Sequence, residues 1–260
     1  MAVKISLIGA GNVAWHLSAA LERAGHTIEE VYSRQKTNAE RLANRLRCAQ
    51  ATDDLDLRTS KAQLFLLCVA DDAYELVLSR LQLPQNTLIA HTSGSLPLAI
   101  LAAKQRPAGV FYPLQTFSKQ KTVDFTQVLF CIEGQTPEAE KQLQLLAQAL
   151  SQQVKLVSSE QRRVLHLAAV FACNFTNYML SLADEILTEK GASLQLLTAL
   201  IQETIQKALL DSPHTAQTGP ARRGDLQLIE KHLETLQQKP EAAQVYRLLS
   251  ELIVDKYRAK

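Results

Sequence analysis

The chain has 260 residues, 47% of them hydrophobic and 21% charged, with a formal net charge of +2. Such a length fits two domains or one large one, and the composition is that of a globular protein. The near-neutral balance, with no long basic run, argues against nucleic acid as a partner.

The first element is an apolar run, Val3 to Ile8, followed by Gly9-Ala10-Gly11-Asn12-Val13-Ala14 and then Trp15-His16-Leu17. This order predicts a strand, a tight turn and a helix opening. A residue without Cβ suits the turn at Gly9. Gly11 leaves room for a pyrophosphate against the backbone, and Ala14 takes the place of the third small residue of G-x-G-x-x-G/A. The helix N-terminus adds unpaired N–H groups and a positive dipole end. Motif and context together predict a dinucleotide site.

The first helix is expected over Asn12 to Arg23, with Val13, Leu17, Ala20, Leu21 and Ala24 facing a sheet. The second strand, Thr27 to Tyr32, delivers Ser33 and Arg34 at its carboxyl end, with Lys36 beyond. An acidic residue there would bind ribose hydroxyls. A hydroxyl and a guanidinium suit a 2′-phosphate instead, which favours NADP(H) over NAD(H). The bland alternative is a solvated Arg34–Lys36 pair.

A helix over Asn38 to Leu46 and a strand over Cys48 to Thr52 follow, then an apolar strand, Leu64 to Val69. Val69 and Ala70 fall along the middle of the expected coenzyme path. Asp71 either caps the next helix, near Ala73, or lines the nicotinamide side. The strand Thr87 to Ala90 ends in His91-Thr92-Ser93-Gly94-Ser95. His91, Thr92 and Ser93 are candidates for the far end of the coenzyme or the substrate. Equally, Ser93 and Ser95 cap a helix from Leu98 to Lys104. A strand near Gly109 to Phe111 leads into a loop through Ser118 that suits a cleft wall. Strands over Val128 to Ile132 and Val154 to Val157 flank a helix over Glu138 to Leu150.

After Ser158-Ser159 the pattern is helical only. Residues Glu160 to Lys190 form a rod apolar on all sides, expected to be buried all round and set against a second subunit. Helices over Leu194 to Leu210, Leu226 to Gln237 and Glu241 to Tyr257 complete the chain. On the rod His166, Asn174, Asn177 and Ser181 share one side at ~100° per residue. They form either a hydrogen-bond ladder between helices or a substrate-facing stripe. His166 is the best candidate for acid–base work, and Asn174 for orienting a substrate. Arg222 and Arg223 either hold a substrate carboxylate or are solvated.

The cysteines Cys48, Cys68, Cys131 and Cys173 lie apart, with no C-x-x-C pair, and read as reduced core residues of a cytosolic protein. No signal peptide is expected, because Lys4 and the glycine turn interrupt the first apolar run. The apolar segments read as too short or too interrupted to span a bilayer. No metal set is expected from the scattered histidines.

The segments IGAGNVAWHL, HTSGS, FYPLQTFS, HLAAVFACNF and TGPARRGD resemble a family of putative NADP oxidoreductases over nearly the whole chain. A more distant likeness is to pyrroline-5-carboxylate reductase, deazaflavin-dependent NADP reductases, and the 6-phosphogluconate and 3-hydroxyacid dehydrogenases. The resemblance implies a Rossmann domain followed by an all-α, 6-phosphogluconate-dehydrogenase-like domain that commonly builds a dimer. It implies no substrate. One departure stands out: if Asn174 is the helix asparagine of the hydroxyacid dehydrogenases, their lysine is replaced by Val170.

The expected protein is an α/β chain with a doubly wound, mostly parallel sheet over residues 1–158 and a helical substrate and dimerisation domain over 159–260. Gly9, Gly11, Asn12, Val13, Ser33, Arg34, Val69, Ala70, His91, Thr92 and Ser93 would hold NADP(H), and His166 and Asn174 would serve catalysis. Hydride would pass to or from a small carbonyl, imine or hydroxyl compound. The competing expectation is a cytoplasmic NADP(H) sensor without hydride transfer. A homodimer is expected through the C-terminal helices, with neither nucleic acid nor membrane as partner.

Overall fold

The computed structural model describes residues 2–258. Its eight-stranded sheet runs through β1 (Lys4–Ile8), β2 (Thr27–Tyr32), β3 (Gln50–Thr52), β4 (Leu64–Leu67), β5 (Leu88–His91), β6 (Ala108–Leu114), β7 (Leu129–Gly134) and β8 (Val154–Leu156). The spatial order is β3-β2-β1-β4-β5-β6-β7-β8. Strands up to β6 pair in parallel, β7 lies antiparallel to β6, and β8 is parallel to β7. The order reverses direction between β1 and β4. Among the helices are α1 (Asn12–Arg23), α2 (Lys36–Ala43), α3 (Tyr74–Arg80) and α4 (Pro137–Gln148).

Side chains of β4 divide by parity, as the pleat requires. Leu64 and Leu66 join one apolar layer with Ile5, Leu7, Leu17 and Leu21. Phe65 and Leu67 join the other with Ile8, Tyr74, Val77 and Ile89. A strand covered on both faces needs the continuous apolar run seen here. The α/β class and the mostly parallel sheet are as expected. α1 and β2 keep the expected bounds, whereas α2 starts earlier and β3 is shorter than the pattern implied.

After β8 the chain enters α5 (Ser159–Ala169), a six-residue π-helical segment (Val170–Phe175) and α6 (Thr176–Thr188). Two compact units part at Cys173 and Asn174, inside that segment, whereas the composition shifts after Ser159. The start of α5 belongs to the first unit because Arg162 is tied there. Its side chain is 0% exposed. Nη1 donates to Glu133 Oε2 at 2.6 Å, and Nη2 donates to the Leu96 carbonyl at 2.5 Å and to Ser159 Oγ at 3.2 Å. Ser158 caps α5 and exchanges hydrogen bonds with Gln161.

Within a single chain the expectation of burial on all sides fails for the long helix, although that expectation included a second subunit against it. Val164 is 65% and Phe171 62% exposed, and only Arg162 and Leu182 are buried among the residues of α5 and α6. Apolar composition marks surface that needs cover, and one chain does not supply it. The expectation that apolar segments are too short for a bilayer also fails, since Ser159–Thr188 is long and apolar enough to cross one by length and composition. Its first turn is nonetheless anchored in the sheet unit through Arg162. Cys68 and Cys131 are buried as expected, but Cys48 and Cys173 are exposed and are not core residues.

The second unit holds α6, α7 (Thr198–Leu210), α8 (Pro220–Arg223), α9 (Leu226–Thr235) and α10 (Pro240–Arg258). Two small clusters form its core, one around Ile229, Leu233 and Val254, the other around Leu182, Leu236 and Ala242. Lys239 pairs with Glu189 at 2.5 Å.

Replacing Arg162 by Ala leaves the Glu133 carboxylate without its charged partner. Breaking a buried pair from one side typically costs about 3–5 kcal/mol. Urea unfolding of Arg162→Ala is expected to show a loss of that order, and an unchanged midpoint would mean the clamp does not hold α5.

Candidate functional site

The turn after β1 is set by backbone contact. Gly9 has φ +124°, and a Cβ there would lie 2.5 Å from the Cys68 carbonyl oxygen. The Gly9 N–H donates to the Tyr32 carbonyl at 2.8 Å, and the Cys68 N–H donates to the Ile8 carbonyl at 2.8 Å. Both the angle and the space therefore require glycine. Gly11 differs: a Cβ there would approach only the Cys68 carbonyl oxygen, at an ordinary 3.8 Å. The protein's own packing leaves that side open.

Gly11 is also the N-cap of α1, with no side-chain cap and no acidic residue in the first turn. The positive end of the helix is left uncompensated, a ready place for an anion. Ala14 is fully buried, as the third small residue should be. The Asn12 amide donates to the Phe117 carbonyl at 3.0 Å, and His16 Nε2 lies 2.8 Å from the Ser118 carbonyl oxygen. The expected loop begins later than its sequence suggested, since Tyr112 to Leu114 belong to β6, and its remainder through Phe117 and Ser118 is thereby fastened to the start of α1.

A cavity of about 560 Å³ opens at this turn, where the strand order reverses. Its floor is Gly9 to Gly11. One side is the end of β2, with Tyr32, Ser33, Arg34 and Gln35, joined by Asn38. The other is the end of β4 with α3: Cys68, Val69, Ala70, Ala73, Leu76, Val77 and Arg80, with Leu55 and Asp72 nearby. Ligands of doubly wound sheets bind at this crevice. Of the expected coenzyme residues, Gly9, Gly11, Ser33, Arg34, Val69 and Ala70 come together here. Asn12 and Val13 do not line the cavity. Arg80 was missed from the sequence. Its signal was the spacing Ala73, Val77 and Arg80, which puts the guanidinium on the helix face that carries the cavity's apolar wall.

His91, Thr92 and Ser93 lie elsewhere, buried at the carboxyl end of β5. Thr92 donates through both N–H and Oγ1 to the Leu67 carbonyl, each at 3.1 Å. Ser93 Oγ accepts from the N–H groups of Ser95 and Leu96, and His91 Nδ1 accepts from the Ser93 N–H. These groups knit a turn. The following segment, Leu98–Lys104, is a 3₁₀ helix with Pro97 at its cap, so neither serine caps it. Asp71 likewise caps nothing; its carboxylate accepts from the Ser95 hydroxyl. Burial, aided by the charge of Arg162, lowers the His91 pKa to about 4.

His166 projects from α5 to the Tyr112 hydroxyl, with Nδ1 3.0 Å away. Both lie against Gly94, where a Cβ would come within 2.7 Å of that nitrogen. Asn174 is exposed and opens the second unit. The proposed polar stripe assumed uninterrupted α-helical steps. An i→i+5 segment adds one residue to a turn, which offsets the register by roughly 100°. Ser181 Oγ donates to the Asn177 carbonyl of its own helix at 3.3 Å. Arg222 stacks over the Tyr257 ring, 4.4 Å from its centre. Among the described residues no group of three or more His, Cys, Asp or Glu is placed to hold a metal ion.

A glycine turn at the reversal of a doubly wound sheet, beneath an uncapped helix, defines a protein of the Rossmann class. A Rossmann-like domain model matches residues 1–114, and a model described as a domain of unknown function, DUF2520, matches residues 128–253. A Bacteroides fragilis protein described as a "putative NADP oxidoreductase" is 40% identical, with 98% of each chain covered and a TM-score of 0.91. The chain belongs to that protein's family. The same fold occurs in a reductive aminase from Aspergillus terreus in complex with NADPH and ethyl-5-oxohexanoate, at 17% identity, 100% and 95% coverage and TM-score 0.75. It occurs also in 1-pyrroline-5-carboxylate reductase from Streptococcus pyogenes, at 15% identity, 100% and 99% coverage and TM-score 0.62. No curated protein matches the chain.

The two glycines should respond differently to a methyl group. Gly9→Ala incurs about 1–3 kcal/mol of backbone strain in addition to the clash with Cys68, whereas Gly11→Ala should stay within about 0.5 kcal/mol of wild type. Equal thermal shifts would contradict this division. A second expectation concerns acid. Below the ordinary histidine value of 6.5 the unfolded chain takes up a proton that folded His91 accepts only near pH 4. Stability should therefore fall as the pH drops through that window. His91→Asn should flatten that slope, leaving the smaller part due to His26, whose pKa burial also lowers.

Proposed function

We propose that the chain is an NADP(H)-dependent oxidoreductase acting on a small carbonyl, imine or hydroxyl compound. The observation that carries this reading is the cavity itself. Its lining joins the backbone of Gly9 to Gly11, at the positive end of α1, with Ser33, Arg34 and Arg80. In this reading the backbone at Gly11 and the first turn of α1 receive the pyrophosphate. Ser33 and Arg34 receive the 2′-phosphate, and a carboxylate at Arg34 would repel it. Leu55, Leu76 and Val77 offer an apolar wall to the adenine. Val69 and Ala70 extend the same edge toward β5. When bound, the coenzyme supplies or accepts the hydride.

The residues of the chain then bind, orient and handle the proton. His166 is the group proposed to carry it, since an imidazole both donates and accepts a proton through its two nitrogens and Nδ1 is already engaged by the Tyr112 hydroxyl at 3.0 Å. Asn174 is proposed to orient the substrate. We also infer a homodimer. The exposed apolar side chains Val164 and Leu167 in the first unit and, separately, Leu209 and Leu210 of α7 in the second are the support for it.

One observation favours a second reading, a nucleotide sensor without hydride transfer. If Asn174 is the helix asparagine of the hydroxyacid dehydrogenases that the sequence distantly resembles, Val170 stands where they carry a lysine. Titration with NADPH and NADH, followed by a panel of keto acids and cyclic imines, separates the two. Tight NADPH binding without turnover on the panel would favour the sensor.

Charged hydrogen bonds contribute about 1.5–3 kcal/mol, so Arg34→Asp should weaken NADPH binding on the order of tenfold to a hundredfold and abolish its advantage over NADH. An unchanged preference would remove Arg34 from the site. His166→Ala should lower turnover by roughly 10²–10⁴ while sparing coenzyme affinity.

A further inference from the structure

We propose that Tyr112 is a positioning residue: its hydroxyl donates to Nδ1 of His166 and holds the imidazole as the Nε2–H tautomer, with the transferable proton at Nε2. The proposal rests on His166 being the acid–base group, but its first test does not.

The contact is specific. The hydroxyl lies 3.0 Å from Nδ1, and the two rings meet edge to face with centres 6.0 Å apart and planes at 77°. Tyr112 is 9% exposed and packs with Val110, Cys131 and Leu165. Burial pushes its phenol up to about 12, so it keeps its proton throughout the neutral range. A buried hydroxyl proton needs an acceptor. Among the described residues, Nδ1 of His166 is the protein atom placed to take it. A neutral imidazole that accepts at Nδ1 carries its own proton at Nε2. The reverse arrangement, Nδ1–H donating to the phenol oxygen, would leave the hydroxyl proton without an acceptor among the described residues.

Gly94 supplies an independent observation. Its φ is not among the positive values of the chain, so conformation does not demand glycine there. Space does: a Cβ would sit 2.7 Å from His166 Nδ1 and 2.8 Å from Tyr112 Cζ. The bare position in His91-Thr92-Ser93-Gly94-Ser95 is where the rim makes room for the pair. A partner that fixes the tautomer of an acid–base histidine from behind is a recurrent device, because the proton must be on the nitrogen that faces the reaction.

The experiment is a long-range ¹H–¹⁵N spectrum of the imidazole nitrogens at neutral pH, with His166 assigned by the signals lost in His166→Gln. Wild type should show the Nε2–H tautomer at His166. Tyr112→Phe keeps the ring and removes only the hydroxyl. It should give a mixture of tautomers at His166 and leave the other histidines unmoved. Gly94→Ala should split the pair and produce the same change. An Nδ1–H tautomer in wild type, or an unaltered His166 in Tyr112→Phe, would overturn the proposal. With a turnover assay in hand, Tyr112→Phe should lower kcat about tenfold at unchanged coenzyme affinity. Full turnover in His166→Ala, alongside the expected spectra, would overturn the catalytic role and leave the orientation standing.

Discussion

The cavity exists because two backbones touch. Gly9 turns the chain at φ +124° directly against the carbonyl of Cys68, closer than any Cβ allows. That approach lets the end of β1 turn into α1 within a few residues while the ends of β1 and β4 stay paired. The helix N-terminus then faces the crevice where strand order reverses. No charged side chain is needed for this part of the site. Peptide dipoles and a missing side chain at Gly11 provide it. Arg34, after β2, and Arg80, at the end of α3, add positive charge to the lining.

The polar residues beyond the cavity do a different kind of work. Thr92 and Ser93 are buried and matched with backbone groups, and His91 accepts from the Ser93 N–H at Nδ1, so the rim after β5 is held by its own hydrogen bonds. Arg162 joins three separate segments, through Glu133 on β7, the Leu96 carbonyl and Ser159. It is the reason that the first turns of a helix otherwise rich in exposed apolar residues belong to the sheet unit. With that helix start fixed, His166 meets Tyr112 across a sequence separation of 54 residues.

Much of this was legible in the residues. The glycine turn, α1 and β2 follow from local signals: a turn residue, a 3.6-residue period and a β-branched or aromatic run. Ser33 and Arg34 could be placed at the cavity because a strand end in this fold has a known neighbour. Other features carry no local signal. The π-helical segment has no composition of its own, so side chains aligned by a 100° step across Val170 were aligned on a false register. Apolar residues around the long helix announced a need for cover but not what supplies it. Cys48 and Cys173 sat in ordinary-looking runs yet emerged at the surface. The pairing of Tyr112 with His166, and the space kept by Gly94, depend on contacts between distant segments that no period in one segment reveals.

The central claim is that a phosphate-bearing coenzyme rests where β1 turns into α1. A crystal structure of the protein grown with excess NADPH tests it most directly. The account predicts density for the pyrophosphate within hydrogen-bond distance of the backbone N–H groups that open α1, with the 2′-phosphate at Ser33 and Arg34. Density for the coenzyme at another surface, or an empty cavity at saturating NADPH, would contradict it.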